Sequence, residues 1–160
     1  MIERLYTTGV YGKTEETFFR QLQHAHVQVF CDIRRRRGVR GSQYSFVNSK
    51  YLQSALAKRN IGYRYVPQLA PSPEIRAAQQ AVDQAEGVLK RARKELGEEF
   101  KRRYLHEVLD PFDSEAFARS FDSATTRVAL FCVEGSPAAC HRSLVADRLQ
   151  HDWNIAVEHL

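Results

Sequence analysis

The chain has 160 residues, enough for one domain with a real core. Its 43% hydrophobic and 27% charged residues are ordinary for a folded globular protein. No apolar run approaches the roughly 20 residues that a membrane-spanning helix needs. Lys plus Arg outnumber Asp plus Glu by 24 to 19, and the net charge of +5 permits an anionic partner without demanding one.

The N-terminal stretch MIERLYTTG carries Glu3 and no long apolar segment, which speaks against a signal peptide. Three cysteines, Cys31, Cys132 and Cys140, are an odd number. Cys31 and Cys132 fall inside apolar strand-like runs. Free thiols in a reducing compartment are the expectation, which places the protein in the cytoplasm.

In chain order, Ile2 to Tyr6 reads as a short strand closed by Thr7, Thr8 and Gly9. Thr14 is placed to cap a helix running to about His24, with Glu15 and Glu16 in the first turn, where the helix dipole favours them. Val27 to Cys31 is a second strand, ending at Asp32-Ile33-Arg34. Asn48 starts a helix to about Arg59, and Ile61 to Val66 is a third strand. Alternating strands and helices imply parallel pairing with right-handed crossovers.

Ser72 and Pro73 open the next helix. Ile75, Ala78, Val82, Ala85, Leu89, Ala92 and Leu96 then recur at spacings of three and four. Gly87 and Gly97 interrupt this seam, and Phe100, Tyr104, Leu105 and Val108 continue it to Asp110-Pro111. The pattern predicts a long helical insertion over about 73–108, one helix or two, lying on the domain or pairing with a second copy through Val82, Leu89 and Leu96. Ser114 starts a short helix toward Phe121. Val128 to Val133 is an unbroken apolar run, the mark of a strand covered on both faces. Ser136 and Pro137 open a final helix to about Asp152, and Ile155 to Val157 is the last strand. The expected fold is α/β, a single domain over 1–160 with a mostly parallel central sheet flanked by helices.

Three turns belong at the carboxyl edge of such a sheet, where ligands bind. The first, Thr7-Thr8-Gly9 through Thr14, offers hydroxyls and a helix N-terminus to an anion, or is a plain tight connection. The second runs from Asp32 to Gly41, with five arginines in seven residues: Arg34, Arg35, Arg36, Arg37 and Arg40. Such a cluster calls for screening by water or an anion. Tyr44 and Phe46 follow, as stacking on a nucleic-acid base requires. Asp32 is a general base or the partner of Arg34.

The third turn, FCVEGSPAACHRS at 131–143, is the most reactive. Ser136 as cap and Pro137 at the first helical position put Cys140 and His141 in the first turn or just beyond. A helix N-terminus with Arg142 beside it lowers a thiol's pKa. Cys140 is then a nucleophile, or an inert buried thiol. Glu134 and His141 are acid–base groups, and Arg34 and Arg142 anion clamps, with free N–H groups from Ser136 to Ala139 as an oxyanion cradle. Glu134 alternatively locks Arg142. Cys132 reads as core. Zinc on Cys132, Cys140 and His141 is chemically open, but adjacent residues on a helix point apart, so no metal and no cofactor are assigned. The substrate would be a nucleotide, a nucleic acid or a phosphorylated small molecule. The alternatives are a non-enzymatic nucleic-acid-binding or regulatory module using the Arg34–Arg40 loop, and a helix-mediated interaction protein.

Together these motifs resemble the prokaryotic family catalogued as domain of unknown function 488. The residues concerned are Thr7-Thr8-Gly9, Asp32-Ile33-Arg34, Cys132-Val133-Glu134 and Cys140-His141-Arg142, with Phe46, Ile61-Gly62-Tyr63, Phe100, Tyr104 and His159-Leu160 in support. The likeness covers most of the chain outside about 72–98. Two positions depart from the family pattern. Its His-Ser after the first Gly is Val10-Tyr11 here, and its Leu-Gly-Gly is Leu69-Ala70-Pro71. The resemblance implies an α/β domain with the three turns clustered, and it supplies no reaction.

Overall fold

The computed structural model describes all 160 residues apart from the side chain of Arg91. Five strands form one sheet: β1 (Arg4–Thr8), β2 (Val29–Asp32), β3 (Gly62–Tyr65), β4 (Arg127–Phe131) and β5 (Ala156–His159). Their order is β3-β2-β4-β1-β5, and every pairing is parallel. All five carboxyl ends therefore lie on one edge, and the expected α/β fold is present.

The connections set which face each helix covers. From β1, α1 (Glu15–His24) leads past β4 to β2, and α2 (Ser49–Ala57) leads on to β3. Both steps move the same way across the sheet, so right-handed crossovers place α1 and α2 on one face. The return from β3 to β4, and α6 (His141–Trp153) from β4 to β5, move the opposite way and cover the other face. The direction reverses between the neighbours β1 and β4. That boundary is the topological switch point, where an open α/β sheet leaves its crevice.

Local chemistry explains the elements. Thr14 caps α1 by accepting from Thr17 N, and Ser72 caps the helix after it by accepting from Ile75 N. The face under α1 is aromatic: Phe18 meets Phe30, Phe46 and Phe131 at centroid separations of 5.6–6.1 Å. Burying these rings, with Leu5, Leu22, Leu130 and Leu149, supplies most of the driving force for folding.

A single long helix does not form in the insertion. Residues 73–108 divide into α3 (Pro73–Ala85), a short turn at Lys90–Ala92, and α4 (Glu98–Tyr104), which runs into a π-helical turn at Leu105–Leu109. The two glycines decide this. Gly87 takes a left-handed φ of +66°, which ends α3. Gly97 donates its N–H to Gln79 Oε1 at 2.7 Å, and a β-carbon there would stand 3.3 Å from Val82. The chain thus folds back on α3. The seam is split: Leu96 is 4% exposed and Leu89 is 77% exposed, so Val82, Leu89 and Leu96 form no continuous pairing stripe. A short α5 (Ser114–Arg119), capped by Asp113, precedes β4. Among the described residues, no helix is long and apolar enough to cross a membrane.

Candidate functional site

The first and third turns meet at the switch point. Val10 N and Tyr11 N both donate to Val133 O. Arg142, fully buried, donates from Nη1 to Glu134 O, from Nη2 to Gly135 O at 3.1 Å, and from Nε to Thr7 Oγ1 at 3.4 Å. It fills the crevice between β1 and β4 as a strut. Three of its five N–H donors are thereby committed to the turns themselves, which leaves at most two for the anion expected of it. Glu134 does not lock Arg142 through its carboxylate.

The second turn is tied down in the same way. Arg34 grips Asp32 through Nε to Oδ1 and Nη2 to Oδ2, both at 2.8 Å, and reaches Val47 O at 2.9 Å. Tyr63 also donates to Asp32 Oδ2. Both oxygens of Asp32 are hydrogen-bonded, as the reading of Asp32 as the partner of Arg34 expects. One nitrogen of Arg34, Nη1, is buried with no partner among the described residues. Arg35 donates to Pro71 O, and Arg37 stacks over Tyr65 with 4.1 Å to the centroid. Arg36 and Arg40 stand exposed. Tyr44 is buried, accepts from Gly12 N, and packs on Tyr11 and Phe46, so it does not offer the stacking face expected of it.

Beside the strut, on the α6 side, four ionisable groups converge. Cys132, Cys140 and His141 present their ligating atoms within 4.8 Å of one another. The Sγ of Cys132 lies 3.1 Å from Oε2 of Glu134, and the Sγ of Cys140 lies 3.8 Å from Nδ1 of His141. The other ring nitrogen of His141, Nε2, is 3.0 Å from Ile33 O. A carbonyl only accepts, so Nε2 carries hydrogen and Nδ1 faces the thiols.

The sequence pattern misplaces this helix start. Pro137–Ala139 is a separate 3-10 turn, and α6 begins at His141 with Cys140 as its extended N-cap (φ −136°, ψ 144°). An extended residue next to a helical one need not diverge from it. Cys140 and His141 therefore point at the same place, against expectation. The proposed oxyanion cradle is partly consumed, since Ala139 N donates to Ser136 O and Cys140 N to Pro137 O.

Sequence reasoning missed the cover of this group. Arg93, from the insertion, pairs with Asp83 at 2.7 Å and with Glu134 Oε1 at 3.1 Å, and also donates to Ala139 O. Lys90 lies 3.5 Å from the same Glu134 oxygen. Tyr104 sets its ring 5.5 Å from that of His141. These residues sat inside a helical repeat, where charged positions read as a solvated face.

The electrostatics follow from crowding and burial. A hydrogen bond from Cys140 lowers the Cys132 thiol well below the usual range, and the charge of His141 adds to this against the cost of burial. Burial and the Cys132 charge raise Cys140 well above its usual value. Burial raises Glu134 as well, as does the charge on Cys132. Burial alone would lower His141, yet the Cys132 charge and hydrogen bond raise it. Cys132, the cysteine that reads from sequence as core, is thus part of the ionisable group.

At the β1 end, Lys13 donates to Thr8 Oγ1 at 3.2 Å and to Leu160 O at 2.9 Å, and Thr7 Oγ1 lies 2.6 Å from His159 Nδ1. Burial, then repulsion from Arg142, lowers Lys13 to about 8. Elsewhere, an open groove of about 630 Å³ is lined by Val66, Pro67, Ile75, Phe112 and Phe117, and no residue of the cysteine group lines it.

The chain belongs to the family described as Domain of unknown function DUF488, whose model matches residues 14–149. That stretch contains Asp32-Ile33-Arg34 and the whole turn from Cys132 to Arg142, and leaves out Thr7-Thr8-Gly9 and β5. No curated protein and no solved structure matches the chain.

Proposed function

We propose that this member of the family is an enzyme working at the carboxyl edge of its sheet, with Cys132, Glu134, Cys140 and His141 as the reacting group and an anionic small molecule as substrate. One observation carries the reading. Four ionisable side chains, each no more than 6% exposed, converge on one point beside the switch-point crevice. Burying polar groups costs stability unless they are paired, and a fold has no structural need for four of them together. A buried cluster of this kind at the ligand-binding edge is a working site.

The anionic substrate is supported by the surrounding charge. Beside the group stand Lys90 and Arg93, with Arg142 under the same turn, against the carboxylates of Asp83 and Glu134. Lys90 is half exposed and sits at the rim, where an incoming phosphate or carboxylate would meet it. Glu134 is the proton carrier, with Oε1 anchored by Arg93 and Oε2 turned to Cys132.

The test is turnover of p-nitrophenyl phosphate, bis(p-nitrophenyl) phosphate and nucleoside phosphates. It is paired with alkylation of Cys132 and Cys140 in the presence and absence of phosphate. A real site loses at least about 100-fold in rate with Glu134→Gln, keeps its rate with Cys31→Ala, and is protected from alkylation by phosphate. No turnover together with no protection would overturn the reading.

A further inference from the structure

We infer that Cys132, Cys140 and His141 hold one zinc-class divalent cation as its three protein ligands. The inference rests on the same site as the proposed function, yet the metal can bind whether or not turnover exists.

The donor set is the first support. Two thiolates and an imidazole suit zinc, a borderline-soft ion that takes nitrogen and sulfur in tetrahedral array. Geometry is the second. With metal–sulfur bonds of about 2.3 Å and metal–nitrogen bonds of about 2.0 Å, a tetrahedral site sets its ligand atoms roughly 3.6–3.8 Å apart. The three atoms lie within 4.8 Å of one another, and Cys140 Sγ stands 3.8 Å from His141 Nδ1. Closing on an ion needs movements of about an ångström or less. Glu134 Oε2 lies beside these ligands, 3.1 Å from Cys132 Sγ.

The outer contacts complete the site. A ligating imidazole commonly donates its second N–H to a carbonyl, which fixes the tautomer and aims the free nitrogen at the metal. His141 does this through Nε2 and Ile33 O. Glu134, next to the ligands, is held through Oε1 by Arg93 and Lys90. The ligands come from two rigid places, the end of β4 and the start of α6, joined by a turn that Arg142 pins from beneath. The spacing Cys-x7-Cys-His is a compact ligand set for one ion.

Binding displaces any proton still held by the two sulfurs, because only thiolates ligate, while His141 ligates through Nδ1 and keeps its hydrogen on Nε2. No electron changes hands, and zinc stays divalent throughout.

The experiment titrates the whole chain, stripped with a chelator, with cobalt(II). One equivalent should produce the intense visible bands of a tetrahedral ion and a thiolate-to-cobalt charge-transfer band, both abolished by one equivalent of zinc. Native mass spectrometry should show one zinc per chain. Cys132→Ser and Cys140→Ser should lose the charge-transfer intensity, Glu134→Gln should weaken affinity about 10- to 100-fold, and Cys31→Ser should change nothing. Should the cysteine variants fail to fold, wild-type protein alone decides. Zinc at about one hundred times Kd should raise Tm by roughly 8 °C, reversed by the chelator. Absence of a tetrahedral cobalt spectrum in the wild type, or equal loss in Cys31→Ser, would overturn the inference. Turnover in a wild type that shows no tetrahedral cobalt spectrum would overturn it while leaving the enzyme reading intact. A clean zinc site with no turnover and no phosphate protection would do the reverse.

Discussion

Gly9 and Glu134 lie against each other so closely that a β-carbon on Gly9 would stand 2.8 Å from the Glu134 carbonyl carbon, and nearer still to its oxygen. That oxygen also accepts from Arg142 Nη1. The contact closes the switch point between β1 and β4, and the third turn takes its position from it. Gly9→Ala should therefore destabilise the protein by about 3 kcal/mol, the upper end of overpacking, because backbone and not a flexible side chain would have to move. Urea denaturation of the wild type and variant measures this. An unchanged midpoint would mean the turns are not packed as described.

Arg93 binds the insertion to the site through two carboxylates, Asp83 and Glu134, each mostly buried in its side chain. Removing one partner of a buried pair leaves an unpaired charge, which costs about 3–5 kcal/mol. Arg93→Met should thus destabilise strongly, and the loss should be local. The amide of Leu96, which donates to Ala138 O, should lose exchange protection before the strands do. Asp83→Asn in the same chain should recover part of the loss, since the pair is coupled. Additive effects of the two substitutions would show that Arg93 acts through packing of its stem alone.

Much of this architecture is legible in the sequence. The apolar runs of β1, β2 and β4 name the central strands, and Thr14 and Ser72 cap where their residue types predict. The Asp32–Arg34 pair follows from proximity in the chain. Three features are not legible, each for a physical reason. The heptad-like seam in 73–108 satisfies helical periodicity, and Gly87 and Gly97 mark where it is interrupted, but the fold-back of α4 on α3 through the Gly97–Gln79 bond is a tertiary contact that a pattern of apolar residues does not register. Pro137 marks a helix start, but it opens a 3-10 turn and the true N-cap is Cys140. That shift of a few residues turns Cys140 and His141 from diverging to convergent. The Arg93–Glu134 pair joins residues 41 positions apart, and only tertiary folding brings them together.

Lys13 provides a pH-dependent prediction. Burial and Arg142 lower its folded pKa to about 8, from an ordinary 10.5. Between these values the unfolded chain binds more protons than the folded one, so stability rises with pH across that window. Below about pH 8 both states are charged, and the fold bears the full penalty of the buried ammonium. Cys31, pushed up to about 12 by burial, acts oppositely above about pH 9, because the unfolded thiol ionises first. Comparing wild type with Lys13→Met cancels the Cys31 contribution. The stability of the wild type relative to Lys13→Met should increase from pH 7 to pH 9.5. A difference that stays flat would place the Lys13 ammonium in water.

The arginine-rich loop has a charge count of five arginines, but the structure leaves few of them for a partner. Arg34 is locked on Asp32, and Arg37 lies over Tyr65 with Nη1 on Ser49. Arg35 is exposed but tied at Nε to Pro71 O, whereas Arg36 and Arg40 are exposed without such a tie among the described residues. Each phosphate neutralised on a duplex contributes about 0.9 to the slope of log K against log salt, so two arginines give a slope near −1.8, whereas five would give about −4.5. Fluorescence anisotropy with a short DNA duplex, from low to physiological salt, separates these cases. The expected result is weak binding with the shallow slope, reduced toward zero by Arg36→Ala with Arg40→Ala and unaffected by Arg35→Ala. A slope near −4.5 would mean that Arg34, Arg35 and Arg37 leave their partners to grip the backbone, and the nucleic-acid reading of this loop would then displace the small-anion one.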